Sequence, residues 1–146
     1  MSIEDDVALL QRVPTLRLLG DTALRMLAIG SEQRDFDRGD QLFNAGDEAD
    51  AGYIVRRGAF RVEDGGAEIV AGPGALIGEL AMIVAMRRPS SAIALERSSV
   101  IRVARSLFQR VLESDPAAAR RLRDEMAARS SQLASDILMA GAKLGS

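Results

Sequence analysis

The chain of 146 residues contains no cysteine, no histidine and no tryptophan. Without cysteine there is neither a disulfide framework nor a thiol nucleophile. Without histidine the usual general base, the commonest metal ligand and the usual pH switch are all missing. Metal-dependent jelly-roll enzymes typically need imidazole ligands, so neither a metal site nor a catalytic residue is expected. Long apolar runs are absent as well. The stretch Leu80–Met86 follows a glutamate and is closed by two arginines, far short of the ~20 residues that span a bilayer. Glu4, Asp5 and Asp6 give the opening segment the wrong charge for a secretory leader. A cytoplasmic protein with no membrane span is therefore expected.

What is present suits one ordinary core: 47% of the residues are hydrophobic. The net charge of −2 is unevenly spread, with 11 basic and 16 acidic groups in residues 1–101 against 7 basic and 4 acidic in residues 102–129. The basic part is arginine interspersed with acids on a helical pattern, which reads as a solvated helix face rather than a nucleic-acid surface.

Three patterns divide the chain. In Ile3–Val13, Ile3, Val7 and Leu10 recur at helical spacing until Pro14 ends the segment. Asp21 then reads as the N-cap of a helix carrying Leu24, Leu27 and Ala28, stopped by Gly30. From Gln33 to Val103, short strand-like pieces (41–44, 53–56, 59–63, 68–71, 92–96 and 100–103) alternate with glycine turns, the signature of a sandwich or barrel. Asp64-Gly65 marks a hairpin. Helical spacing then returns: Ser106 reads as a cap before Leu107, Val111 and Leu112, and Asp115-Pro116 as a second helix start. Leu122, Met126, Leu133, Ile137 and Ala140 form one apolar stripe on a long final helix. The expected architecture is mainly β with flanking helices: a single domain over 1–146, with a helical piece at 1–32, a β-roll at 33–104 and C-terminal helices at 105–146.

The segment Gly72–Glu96 carries the chemistry. Gly74 and Gly78 allow positive φ and a close backbone approach to a ligand. Glu79–Val84 can form a helical turn or two, with free N–H groups at Gly78-Glu79 that favour an anion. Arg87 and Arg88 follow, then Pro89-Ser90-Ser91, offering paired N–H donors and hydroxyls for a phosphate. Glu79 would repel a phosphate but can accept hydrogen bonds from sugar hydroxyls. One anionic phosphate beside one hydroxyl-bearing sugar is the combined requirement, and a cyclic nucleotide meets it with few atoms.

Gly74-Ala75-Leu76-Ile77-Gly78-Glu79-Leu80-Ala81 resembles the phosphate-binding cassette of the cyclic nucleotide-binding domain family, which includes the catabolite activator protein, protein kinase A regulatory subunits and cyclic nucleotide-gated channels. Asp37–Asp47, Tyr53–Gly58 and the closing Phe108, Leu112, Pro116 and Leu122 are similar to other stretches of the family, so the resemblance covers nearly the whole chain. It implies a double-stranded β-helix, or jelly-roll β-roll, with the cassette at 74–92 and two C-terminal helices. It also implies that Ile77 and Gly78 line the site, that Glu79 holds the ribose 2′-hydroxyl, and that the N–H groups of Leu80 and Ala81 face the phosphate. Arg88 is the implied phosphate partner, Ser90 or Ser91 add hydrogen bonds, and Leu133 or Ile137 cap the base as a lid. The family arginine is usually followed by a small residue. Counted from Glu79 it falls on Arg88; counted back from the strand at Ala92 it falls on Pro89. Arg88 is preferred, because one residue of loop length is easily absorbed.

The resulting expectation is a cyclic nucleotide sensor, cAMP favoured over cGMP, that signals through its C-terminal helix to a protein effector and can dimerise through that helix. Two alternatives stand beside it. One is an interaction or dimerisation module that kept the fold without the ligand. The other is the ligand-binding part of a Crp-like transcription regulator. The latter needs a DNA-reading segment after the long helix, and none is evident before Ser146, so direct nucleic-acid binding is not expected.

Overall fold

A computed structural model describes residues 2–64 and 66–129. The Ser2 hydroxyl accepts the Asp5 N–H at 3.2 Å while the Asp5 carboxylate takes the Ser2 N–H, a reciprocal cap that starts α1 (Ile3–Gln11). Pro14 does more than end that helix. It is the first residue of α2 (Pro14–Arg17), where its missing N–H has no helical partner to lose. Asp21 is likewise not the cap of α3 (Asp21–Gly30): Gly20, at φ 88°, holds that place, and Asp21 sits in the first turn, paired with Arg25 at 3.2 Å. Gly30 ends α3 against Leu107; a Cβ there would lie 2.6 Å from Leu107 Cδ1.

Among the described residues ten strands follow: β1 (Glu32–Phe36), β2 (Gln41–Phe43), β3 (Glu48–Ala49), β4 (Ala51–Arg57), β5 (Phe60–Asp64), β6 (Ala67–Ala71), β7 (Leu76–Ile77), β8 (Met86–Arg87), β9 (Ala92–Ala94) and β10 (Ser98–Ala104). A 3₁₀ helix, Glu79–Met82, lies between β7 and β8. The pairing is antiparallel throughout, in two four-stranded sheets, β1-β10-β4-β7 and β2-β9-β5-β6, and a ribbon, β3-β8. This is the β-roll that the glycine-punctuated pattern implied. β5 and β6 form the expected hairpin, with Asp64 opposite Ala67.

Strand periodicity separates two cores. On β4, Ala51, Tyr53 and Val55 face the inside of the roll with Phe43, Phe60 and Ile77. Ile54, on the other face, joins Ile101, Val103 and Met82 under the helices with Leu10, Leu16, Leu24 and Leu27. That two-sided burial is why β4 reads as a continuous apolar run rather than an alternating one.

Gly58 turns β4 into β5 at φ 85°, and a Cβ there would lie 2.1 Å from Ser98 Oγ and 2.7 Å from the Arg97 carbonyl. Gly58→Ala is expected to cost about 2–4 kcal/mol in denaturant unfolding. Gly39→Ala, at φ 89° with nothing within 4 Å, should cost only the ~1–2 kcal/mol of left-handed backbone. Equal losses at the two sites would show that crowding at Gly58 is unimportant.

α4 (Arg105–Ser114) is capped by the Ala104 backbone alone, and Ser106 lies inside its first turn rather than capping it. Asp115 caps the next helix as expected: its Oδ1 accepts the Ala118 N–H at 3.1 Å. That helix, α5, covers residues 116–129 of the described chain. Its Ala118 and Leu122 are buried, and Met126 packs against the same core. Arg121 of α5 donates to the carbonyls of Leu18 at 2.7 Å and Leu19 at 2.9 Å, which ties α5 to the end of α2.

Candidate anion site in the β-roll

Gly74 and Gly78 take φ values of 88° and 76°, and Gly78 is the left-handed cap from which the 3₁₀ helix starts. The turn therefore needs glycine at both positions, as the sequence implied. Arg88 is placed by its backbone. Its N–H donates to the Asp47 carbonyl at 2.7 Å and its carbonyl accepts the Gly46 N–H at 2.8 Å. Arg88 and Pro89 both line the cavity.

The cavity has a volume of about 450 Å³, within the ~300–1,000 Å³ common for small-molecule sites. Gly78, Glu79, Arg88, Pro89 and Ser90 line one end, and Val62, Ile69, Val70, Leu80 and Met86 give it apolar walls. Of the sequence-derived residues, Ile77, Gly78, Glu79, Leu80, Ala81, Arg88 and Ser90 converge on this space. Ser91 is not brought to it: its Oγ accepts the Ala45 N–H at 2.8 Å and braces the β2–β3 turn. Leu133 and Ile137 lie outside the described residues.

Arg88 is only 5% exposed. Its Nη2 donates to the Ala51 carbonyl at 2.8 Å, and its guanidinium carbon stands 4.2 Å from the centre of the Phe43 ring and 5.4 Å from that of Tyr53. Its Nε has no hydrogen-bond partner, and it forms no salt bridge among the described residues. Burial holds the guanidinium below its ordinary pKa, opposed by Tyr53 and Asp50, with the like charge of Arg102 adding to the lowering. Arg102 itself is paired with Asp50 at 3.0 Å. A buried cation with aromatic contacts, an unused Nε–H and no carboxylate within ion-pair distance among the described residues is costly unless an anion joins it.

Glu79 differs from a carboxylate standing free in the cavity. Its Oε1 accepts the Thr15 hydroxyl at 2.7 Å and Arg129 Nη1 at 3.4 Å, while Arg129 Nη2 donates to Thr15 Oγ1 at 2.7 Å. α2, the cassette and α5 meet at this one carboxylate. The Ala81 N–H donates to the Gly78 carbonyl at 3.1 Å inside the short helix, whereas the register leaves the first N–H groups of that helix without an internal acceptor. Phe43, Tyr53, Thr15 and Arg129 were not singled out from sequence as site residues. They reach the site across long chain separations (Thr15 and Arg129 are 114 residues apart), and no local pattern marks such pairs.

A β-roll with a glycine-bracketed cassette and a buried arginine without an ion pair among the described residues has the form of a small-ligand domain. The chain belongs to the cyclic nucleotide-binding domain family, whose pattern matches residues 33–115. It is 36% identical over 111 residues to an uncharacterised NTE family protein of Mycobacterium bovis, covering 73% of this chain and 19% of that protein. It is 30% identical over 95 residues to the cAMP-dependent protein kinase regulatory subunit of Yarrowia lipolytica, covering 64% of this chain and 25% of that one. The chain thus spans a quarter or less of the length of these curated relatives. Among solved structures, the N-terminal domain of a transcriptional regulator from Streptomyces coelicolor A3(2) superposes with a TM-score of 0.80 at 27% identity, covering 88% of this chain and 94% of that one. No helix among the described residues is long and apolar enough to cross a membrane.

Proposed function

We propose that this domain is a non-catalytic sensor whose ligand is a cyclic nucleotide and whose readout is the C-terminal helix. The observation that carries the proposal is Arg88, buried in the cavity wall with a free Nε–H and no ion pair among the described residues. A ring phosphate on Arg88, Ser90 and the N–H of Leu80 supplies a counter-charge, while the Ala81 N–H, expected to face it, is taken by the Gly78 carbonyl. A sugar hydroxyl donates to Glu79, whose carboxylate has more acceptor sites than Thr15 and Arg129 occupy. The base lies along Val62, Ile69, Val70 and Leu80, three of which are half-exposed or more: Ile69 at 50%, Val70 at 65% and Leu80 at 50%. The adenine ligand is the first choice. The Yarrowia lipolytica relative is the regulatory subunit of a cAMP-dependent kinase.

The route to the helix runs through Glu79. The carboxylate that meets the sugar also holds Arg129, so ligand and α5 share one group. Leu133 or Ile137, further along the chain, would close over the base, and an effector or a second copy would read the helix. A ligand can bias the helix only by its differential affinity for the two positions.

Calorimetry with cAMP and cGMP tests the ligand, and amide exchange across residues 116–129 tests the readout. Binding heat is expected, with helix exchange shifting over the same concentration range. No heat and no change in melting temperature at millimolar nucleotide would discard the sensor. Heat without any exchange shift would discard the helix as reporter. The occupied Glu79 carboxylate favours a second reading, a ligand-free interaction module, which predicts an oligomeric state indifferent to nucleotide.

A further inference from the structure

Arg105 is the first residue of α4, where the helix dipole disfavours a cation. It forms no salt bridge among the described residues that would explain its charge. Its side chain instead turns back to the cassette. Nη1 donates to the carbonyls of Ala49 at 2.9 Å, Val84 at 3.1 Å and Ala81 at 3.2 Å. Ala81 and Val84 lie at the C-terminal end of the short helix, where carbonyls lack internal partners and a positive charge is favoured. This is the end opposite the one that faces the anion cavity.

The second half of the arrangement lies on the chain between β3 and β4. Three consecutive carbonyls are used in turn: Ala49 by Arg105 Nη1, Asp50 by the Arg105 backbone N–H at 2.7 Å, and Ala51 by Arg88 Nη2 at 2.8 Å. One backbone rail therefore anchors both arginines, one facing the cavity and one facing the helix behind it. The 3₁₀ helix has only four residues, Glu79–Met82, and 3₁₀ hydrogen bonds are poorly aligned. Such a helix needs an external brace to keep its N-terminal N–H groups aimed at one point.

We propose that Arg105 is a positioning residue for the anion site: it holds the rear of the cassette's short helix against the rail that anchors Arg88, so that cassette, Arg88 and the start of α4 move as one unit. This deepens the proposed function and rests on Arg88 being the anion's partner. It gives Arg105 no contact with the ligand.

The test compares wild type, Arg105→Gln and Arg105→Lys in the full chain, first without ligand. In Arg105→Gln, amide exchange over residues 80–84 is expected to rise about tenfold or more, which corresponds to losing ~1.4 kcal/mol or more of carbonyl bonding in total. Exchange in the β5–β6 hairpin should stay as in wild type. The affinity for cAMP, by calorimetry well below the melting temperature, should fall by a similar factor, and Arg105→Lys should fall between the two. Unchanged exchange at residues 80–84 in folded Arg105→Gln overturns the proposal, as does a uniform rise across the sheet. Should that variant not fold, native-state exchange of wild type under mild denaturant decides: one shared opening for residues 80–84 and the first turn of α4 supports the proposal, and separate openings overturn it. If wild type gives no heat with cAMP, the nucleotide reading fails, while the ligand-free exchange comparison still decides the role of Arg105.

Discussion

Arg88→Met is expected to lower cAMP affinity by about 10- to 150-fold while leaving the ligand-free protein within about 1 kcal/mol of wild type. The two halves of this expectation share one physical source. A guanidinium at 5% exposure has been taken from water without a carboxylate to receive it. Methionine keeps an unbranched apolar stem beside Phe43 and Tyr53 and removes the desolvated charge. The loss is the bond to the Ala51 carbonyl, and relief from charge burial offsets it. The ligand, by contrast, loses a charge-assisted partner outright, which costs ~1.5–3 kcal/mol. Arg88→Lys keeps a charge but loses the planar group that lies over Phe43, and should fall between. Calorimetry and denaturant unfolding measure the two quantities separately. A variant that destabilises the free protein severely yet binds cAMP with wild-type affinity would mark Arg88 as a structural strut, and the site would have to be sought elsewhere.

Gly78→Ala carries the second large effect. The position has φ 76°, which an alanine adopts only at a cost of ~1–2 kcal/mol. Its Cβ would also stand 2.5 Å from Arg88 Nη1, so the guanidinium must move. Gly74→Ala supplies the control. It has the same backbone problem at φ 88°, but its Cβ would meet only the guanidinium of Arg12, at 3.1 Å. Both variants should lose similar backbone stability. Only Gly78→Ala should also lose cAMP affinity, by about tenfold or more, because it displaces the group that grips the phosphate. Equal affinities in the two variants would separate Arg88 from ligand binding.

The helices were legible in outline because their apolar spacing is local. Their starts were less so: Gly20 and Ala104 hold the cap positions assigned to Asp21 and Ser106. A capping side chain is one of several ways to begin a helix, and tertiary contacts choose among them. Among strands, β4, β5, β9 and β10 were visible as apolar pieces. β1, Glu32–Phe36, carries almost only polar side chains because it is an edge strand and mostly exposed. β3, β7 and β8 have two residues each, too short for any period to show.

The cassette shows the same division. Its glycines and the order Gly78-Glu79-Leu80-Ala81 are chain-local, and they mark an anion-binding turn wherever they occur in space. Counting residues left Arg88 and Pro89 as alternatives; in the fold both line the cavity, and Arg88 is fixed by a backbone bond to Asp47, 41 positions earlier. The reassignment of Ser91 to the Ala45 N–H has the same origin.

The order of residues by itself therefore determined the fold class, the place of the cassette and the exclusion of imidazole and thiol chemistry, because these depend on composition and on contacts a few residues apart. Only the tertiary structure decided that Arg88 is buried without a carboxylate, that Glu79 is shared with Thr15 and Arg129, and that Arg105 braces the cassette from behind. Those facts depend on which distant segments the strand register brings together, and the energy of a buried charge is set by its neighbours in space rather than along the chain.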